Sequence, residues 1–110
     1  MQNSEQEHRT RESTIEGYFC RQVKKLGGKV YKMVWPGIKG APDRMVAYHG
    51  SHFVELKRPG KKAEAHQKRR HADLEKQGIH VAVISTKEEV DLWINLLVKN
   101  SKRKTTNTPL

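Results

Sequence analysis

One cysteine, Cys20, stands among 110 residues. An internal disulfide is excluded, and so is a cysteine-built structural zinc site. Long apolar runs are absent, so no segment has the length of a membrane-spanning helix. Aromatics are sparse, at 6% of the chain. Acids are outnumbered: 12 Asp and Glu face 22 Lys and Arg, for a net charge of +10. No glycine-rich phosphate loop, serine elbow or zinc-finger spacing occurs. The six histidines form no metal-binding set, because His49 and His52 flank a turn and His66 and His71 fall five apart on a helix. What remains is one small basic domain with a modest core. Its charge favours a polyanion, foremost nucleic acid, since each cation near a phosphate releases counterions.

The apolar pattern orders the chain. Residues 1–12 are polar and aperiodic and read as a flexible segment. Residues 13–26 read as a helix, with Ile15, Phe19, Val23 and Leu26 at helical spacing and Gly27-Gly28 as its stop. Lys29–Trp35 reads as a strand, and 36–42 as a loop punctuated by glycine and proline. Arg44–His49 and His52–Lys57 read as a hairpin turning at Gly50-Ser51. Lys61–Gln77 reads as a charged helix, Ile79–Ile84 as a buried strand, and Thr86 with Glu89 as a capping box for a last helix that buries Val90, Trp93, Ile94 and Leu97. Residues 99–110 read as a basic, flexible tail. The order α-β-β-β-α-β-α implies an α/β domain over 13–98, a mixed four-stranded sheet flanked by helices.

Five positions within that frame carry possible chemistry. Strand alternation puts Phe53, Glu55 and Lys57 on one face. A glutamate beside a phenylalanine on a central strand needs a partner or a metal if it is buried; a solvated Glu–Lys pair is the ordinary alternative. Asp43 follows Pro42, where a turn aspartate is common. For Asp43 and Glu55 to meet, the hairpin needs the odd register, with a loop of odd length, or a bulge. A two-residue loop at Gly50-Ser51 pairs Val46 with Glu55 and sends Asp43 to the other face. A three-residue loop, His49-Gly50-Ser51, pairs Met45 with Glu55 and Asp43 with Lys57, and a bulge is a further way to align them. Glu16 borders the apolar stripe of the first helix, although Ser13 and Glu16 also fit a capping box. Gln67 shares a helical face with Ala63, His71 and Leu74, polar for a face packed on a sheet.

Glu16, Gly40-Ala41-Pro42-Asp43, Glu55-Leu56-Lys57 and Gln67, in this order of elements, resemble the virus-type replication-repair nuclease (VRR-NUC) family of the PD-(D/E)XK superfamily. The resemblance spans about residues 13–98 and is closest to its stand-alone viral and bacterial members. It implies a restriction-endonuclease-like core and a metal-dependent endodeoxyribonuclease of DNA repair. Asp43 and Glu55 would bind Mg²⁺ or Mn²⁺ with the Leu56 carbonyl nearby, and Glu16 would support the ion through water. Lys57 would position the attacking water and offset phosphate charge, and Gln67 would hold the site or touch the cut strand. It further implies a homodimer on branched DNA, foremost a Holliday junction, acting in the cytoplasm of a bacterial or phage-infected cell, with no membrane partner. A nickase or flap nuclease of the same fold, and a non-catalytic nucleic-acid-binding protein, are the alternatives. Arg58, Lys61, Lys62, Lys68, Arg69 and Arg70 flank the proposed site with charge of one sign and are candidate phosphate contacts.

Overall fold

The computed structural model describes residues 15–107. The N-terminal segment 1–12 and Ser13, with its capping box to Glu16, lie outside the described residues. Helix α1 covers 15–25. It is followed by β1 (Lys29–Lys32), β2 (Arg44–Ala47), β3 (Ser51–Leu56), α2 (Ala65–Lys76), β4 (Val81–Ile84) and α3 (Lys87–Asn107). The expected order holds, and the sheet runs β1-β2-β3-β4. The first three strands are antiparallel, and β3 pairs with β4 in parallel, as a crossover through α2 requires.

The apolar spacing of α1 and α3 decides where the core lies. Ile15, Phe19 and Val23 of α1 pack with Val90 and Leu97 of α3 on Val46, Val54 and Ile84 of the sheet. Each large side chain so buried contributes about 1.5–3 kcal/mol. Phe19 and Trp93 touch ring to ring, 5.4 Å between centroids, so both helices share one sheet face. The opposite face, with Met45, Phe53 and Glu55 by alternation, is left to α2.

Several boundaries differ from the sequence reading. β1 stops at Lys32 rather than Trp35, because the chain leaves the sheet after Met33, whose N–H donates to the Asp43 carbonyl at 3.0 Å. β4 begins at Val81. Helix α2 starts at Ala65, four residues after Lys61, because Pro59-Gly60 turns the chain and Glu64 caps the helix in a capping box with Gln67. The last helix does not yield to a tail at residue 99. It continues to Asn107, as the helix-favouring Lys and Arg residues there permit, and Ser101 is buried on it. The hairpin loop is three residues long but is Tyr48-His49-Gly50, one place earlier than the odd-length loop considered above, since Ala47 pairs with Ser51. His49 takes a positive φ of 49° to close it.

The loop between β1 and β2 is held at several points. The Trp35 indole N–H donates to the Pro42 carbonyl at 2.9 Å, and Arg70 Nε donates to the Lys39 carbonyl at 3.0 Å. Gly40, at φ +79°, lies so close to α2 that a Cβ would stand 2.8 Å from the His66 carbonyl. Gly37 has a similar φ of +75° but open space where its Cβ would be. Both alanine variants therefore carry left-handed backbone strain of about 1–3 kcal/mol, and only Gly40→Ala adds a collision. Thermal melts of the two should separate them, with Gly40→Ala lower in Tm than Gly37→Ala. Equal melts would show that the loop yields freely against α2.

Candidate active site

Glu55 is the centre of the site. It sits on the central strand β3 and is only 5% exposed. Extending the β2–β3 register, which pairs Arg44 with Val54, by one step puts Asp43 opposite Glu55. The two carboxylates thus share a face, as the sequence argument required, but Asp43 faces Glu55 and not Lys57. Asp43 Oδ1 accepts the Leu56 N–H at 3.3 Å, which ties the mouth of β2 to the end of β3.

Gln67 fixes the other side of Glu55. Its Oε1 accepts the Glu64 N–H at 2.9 Å, so its Nε2 is the end that faces the sheet and donates to Glu55 Oε2 at 3.0 Å. One side chain both caps α2 and orients the buried acid. Lys57 Nζ lies 3.8 Å from the same Oε2 and is largely buried. Glu55 Oε1 is buried with no hydrogen-bond partner. Burial, and next the charge of Asp43, push the Glu55 carboxyl from its ordinary 4.5 up to about 7. Lys57, the Asp43 main chain and Gln67 oppose this without cancelling it.

Glu16 is not part of this cluster. Its Oε2 accepts a hydrogen bond from Arg44 Nη2, and Arg44 in turn reaches Asp43. Among the described residues no three of His, Cys, Asp and Glu stand together as a metal-binding group. The proposed donors are instead two carboxylates and a main-chain carbonyl, an all-oxygen set suited to a hard divalent cation. The orphaned Oε1 of Glu55, buried and crowded by a second negative charge, is the observation that fits such an ion.

Of the candidate phosphate contacts, Arg58, Lys61, Lys62, Lys68 and Arg69 are exposed. Arg70 is engaged otherwise, by the Lys39 carbonyl and by Asp73 at 4.0 Å, so it braces the loop ahead of Asp43. Two residues were missed as parts of the site. Arg44 was read only as a strand residue, yet it shares the Val46 face, and a charge on a core-facing strand position demands a partner. His71 is buried, with Nε2 unpartnered, and burial and then the Lys57 charge lower its pKa. In sequence it stands only as a histidine of an oddly polar helical face that joins no metal-binding set.

The raised Glu55 value has a testable sign. Below pH 4.5 both folded and unfolded chains carry the proton, and Glu55 contributes nothing. Between 4.5 and about 7 the unfolded chain ionises while the fold retains the proton, so folding weakens as pH rises. In a chelator, Glu55→Gln should gain thermal stability relative to the unaltered protein across that window, with no further change above it. A pH-independent difference between the two melting curves would contradict the shift.

No family model matches the chain. A curated relative described as "Putative nuclease p44", from Acyrthosiphon pisum secondary endosymbiont phage 1, is 42% identical over 80 residues, covering 71% of this chain and 86% of the relative. A solved structure described as a VRR_NUC domain superposes with a TM-score of 0.69 at 34% identity, covering 76% of this chain and 94% of that one. With the restriction-endonuclease-like sheet and the Asp43–Glu55–Lys57 site already in place, this likeness shows that the chain belongs to the VRR-NUC family of nucleases.

Proposed function

We propose that the protein is a divalent-metal-dependent DNA endonuclease that cuts branched DNA, with the four-way junction as its preferred substrate. The observation that carries the metal-dependent reading is the buried Glu55 carboxylate, one oxygen unpartnered, facing Asp43 and beside Lys57. Mg²⁺ or Mn²⁺ would be held by Asp43, Glu55 and the Leu56 carbonyl. Such an ion, when bound, lowers the pKa of a water and polarises the phosphoryl oxygen.

The chain's own residues have separate tasks. Gln67 keeps Glu55 aimed by donating to Oε2, leaving Oε1 available. Lys57, next to that carboxylate, supplies positive charge to the phosphate and orients the attacking water. Its closeness to Glu55 favours an electrostatic role over that of a free base. Arg58, Lys61, Lys62, Lys68 and Arg69 are exposed on the segment from the end of β3 into α2 and contact phosphates without reading sequence. Recognition by DNA shape is consistent with that.

A homodimer supplies two such sites to a junction of near two-fold symmetry. Two surfaces are free to form it: the edge strand β1 with Tyr31 exposed, and α3, where Leu92 and Leu96 stand exposed one turn apart. No helix among the described residues is long and apolar enough to cross a membrane. A cytoplasmic site of action in a bacterial or phage-infected cell fits a DNA substrate.

Cleavage assays on four-way, flapped, nicked and linear DNA with Mg²⁺ or Mn²⁺ test the reading. Junction cutting should be fastest, and chelation should stop it. Asp43→Asn and Lys57→Ala should each reduce the rate by at least about a hundredfold, the loss typical of a removed charge-stabilising group, while junction binding in gel shifts persists. Retained cutting by both variants would refute the assignment. Salt-sensitive binding with no metal-dependent product would favour a non-catalytic binding protein, and a preference for flaps or nicks would redirect the substrate.

A further inference from the structure

The Glu16–Arg44 pair is not used by the chemistry above, although it touches the site. Arg44 opens β2 and lies on the Val46 face, the side covered by α1 and α3. Glu55 and Gln67 lie on the opposite side. Glu16, on α1, is therefore separated from Glu55 by the sheet itself, and its contact with the site is made at the strand mouth. There the Arg44 guanidinium, with its side chain only 12% exposed, forks. Nη2 donates to Glu16 Oε2, while Nη1 donates to the Asp43 carbonyl at 3.0 Å and lies 3.3 Å from Asp43 Oδ2. The other Asp43 oxygen is taken by the Leu56 N–H. Asp43 is thus gripped on both carboxylate oxygens, one by the end of β3 and one by Arg44.

We infer that Glu16 and Arg44 form a positioning pair, in which Glu16 serves the site by holding Arg44 rather than by supporting a metal ion. The physical reason is charge accounting in a desolvated place. A buried guanidinium needs a counter-ion, and Arg44 has two within reach. With Glu16 present, Arg44 is neutralised from the α1 side and aims Asp43 without claiming it. Without Glu16, the fork would turn wholly to Asp43 and compete with any cation for that carboxylate. An arginine suits this because its planar fork holds two acids in a fixed geometry, whereas a lysine offers one point charge on a flexible stem.

This inference rests on the metal-nuclease reading for its effect on catalysis, but the coupling itself can be read without metal. The test uses the full chain as unaltered protein, Glu16→Gln, Arg44→Gln and the double variant, each checked for folding by circular dichroism. The first readout, in chelator, is the amide resonance of Leu56, which reports the aim of Asp43 through its hydrogen bond. Glu16→Gln should move it when Arg44 is present and leave it in place in the Arg44→Gln background. The second readout is Mn²⁺ binding, followed by the electron paramagnetic resonance of free Mn²⁺. Glu16→Gln should weaken binding roughly tenfold, within the range over which contacting charged residues couple, and should have no added effect once Arg44 is gone. If Arg44→Gln does not fold, Arg44→Lys replaces it and should shrink both effects of Glu16→Gln. Equal effects of Glu16→Gln in both backgrounds, on either readout, would overturn the positioning pair and return Glu16 to direct metal support. If the unaltered protein binds no Mn²⁺, the metal reading fails instead, and the Leu56 amide alone decides the pair.

Discussion

The burial of one carboxylate governs this molecule. Glu55 lies on the middle of three neighbouring strands, between β2 and β4, where an ionised side chain is costly unless something answers its charge. Lys57, Gln67 and the approach of the Asp43 main chain answer it in part, and its carboxyl still titrates near 7. Much of the surrounding architecture maintains this incomplete solution. The hairpin register aligns Asp43 with Glu55, the capping box of α2 turns the Gln67 amide toward the sheet, and the braced loop delivers Asp43 to the strand mouth. A site that is unfavourable by itself is held by elements that are each favourable.

The two faces of the sheet divide the work. On one, α1 and α3 bury an ordinary apolar core around Phe19, Val46, Val54 and Val90. On the other, α2 is mostly exposed, with His71 its buried residue, and it covers polar chemistry. This explains why α2 lacks the apolar stripe expected of a helix packed on a sheet. Its contacts include the Gln67 amide, the Gly40 main chain and the Arg70 brace. Arg44 joins the two halves, since it belongs to the core face by alternation and reaches the site by its length.

The comparisons with relatives and the geometry support each other without repeating each other. Likeness to a phage nuclease and to a VRR_NUC domain gives the family. The register, the free Glu55 oxygen and the Glu16–Arg44–Asp43 chain come from this protein's own fold. They give separate roles to residues that the motif alone would group together: Glu55 at the centre, Gln67 as both cap and aim, Arg70 as a brace of the loop ahead of Asp43.

The sequence by itself determined the order of elements, the apolar faces of α1 and α3, and the candidacy of Asp43, Glu55, Lys57 and Gln67. The first two follow from period and spacing, which are local properties of the chain, and the candidacy of those four residues from their resemblance to a family pattern. It also stated the parity that the hairpin had to satisfy. Tertiary structure decided what depends on contacts between distant residues. The position of the three-residue loop was open because Tyr48-His49-Gly50 and His49-Gly50-Ser51 satisfy the same parity, and the pairing of Ala47 with Ser51 in the folded sheet selects the first. The start of α2 and the extent of α3 were set by a cap and by the continuing helix, where the charge pattern misled. Glu16 was a candidate on sequence grounds, but its attachment to Arg44 was not legible there, because an ion pair between a helix and a strand 28 residues apart leaves no periodic trace.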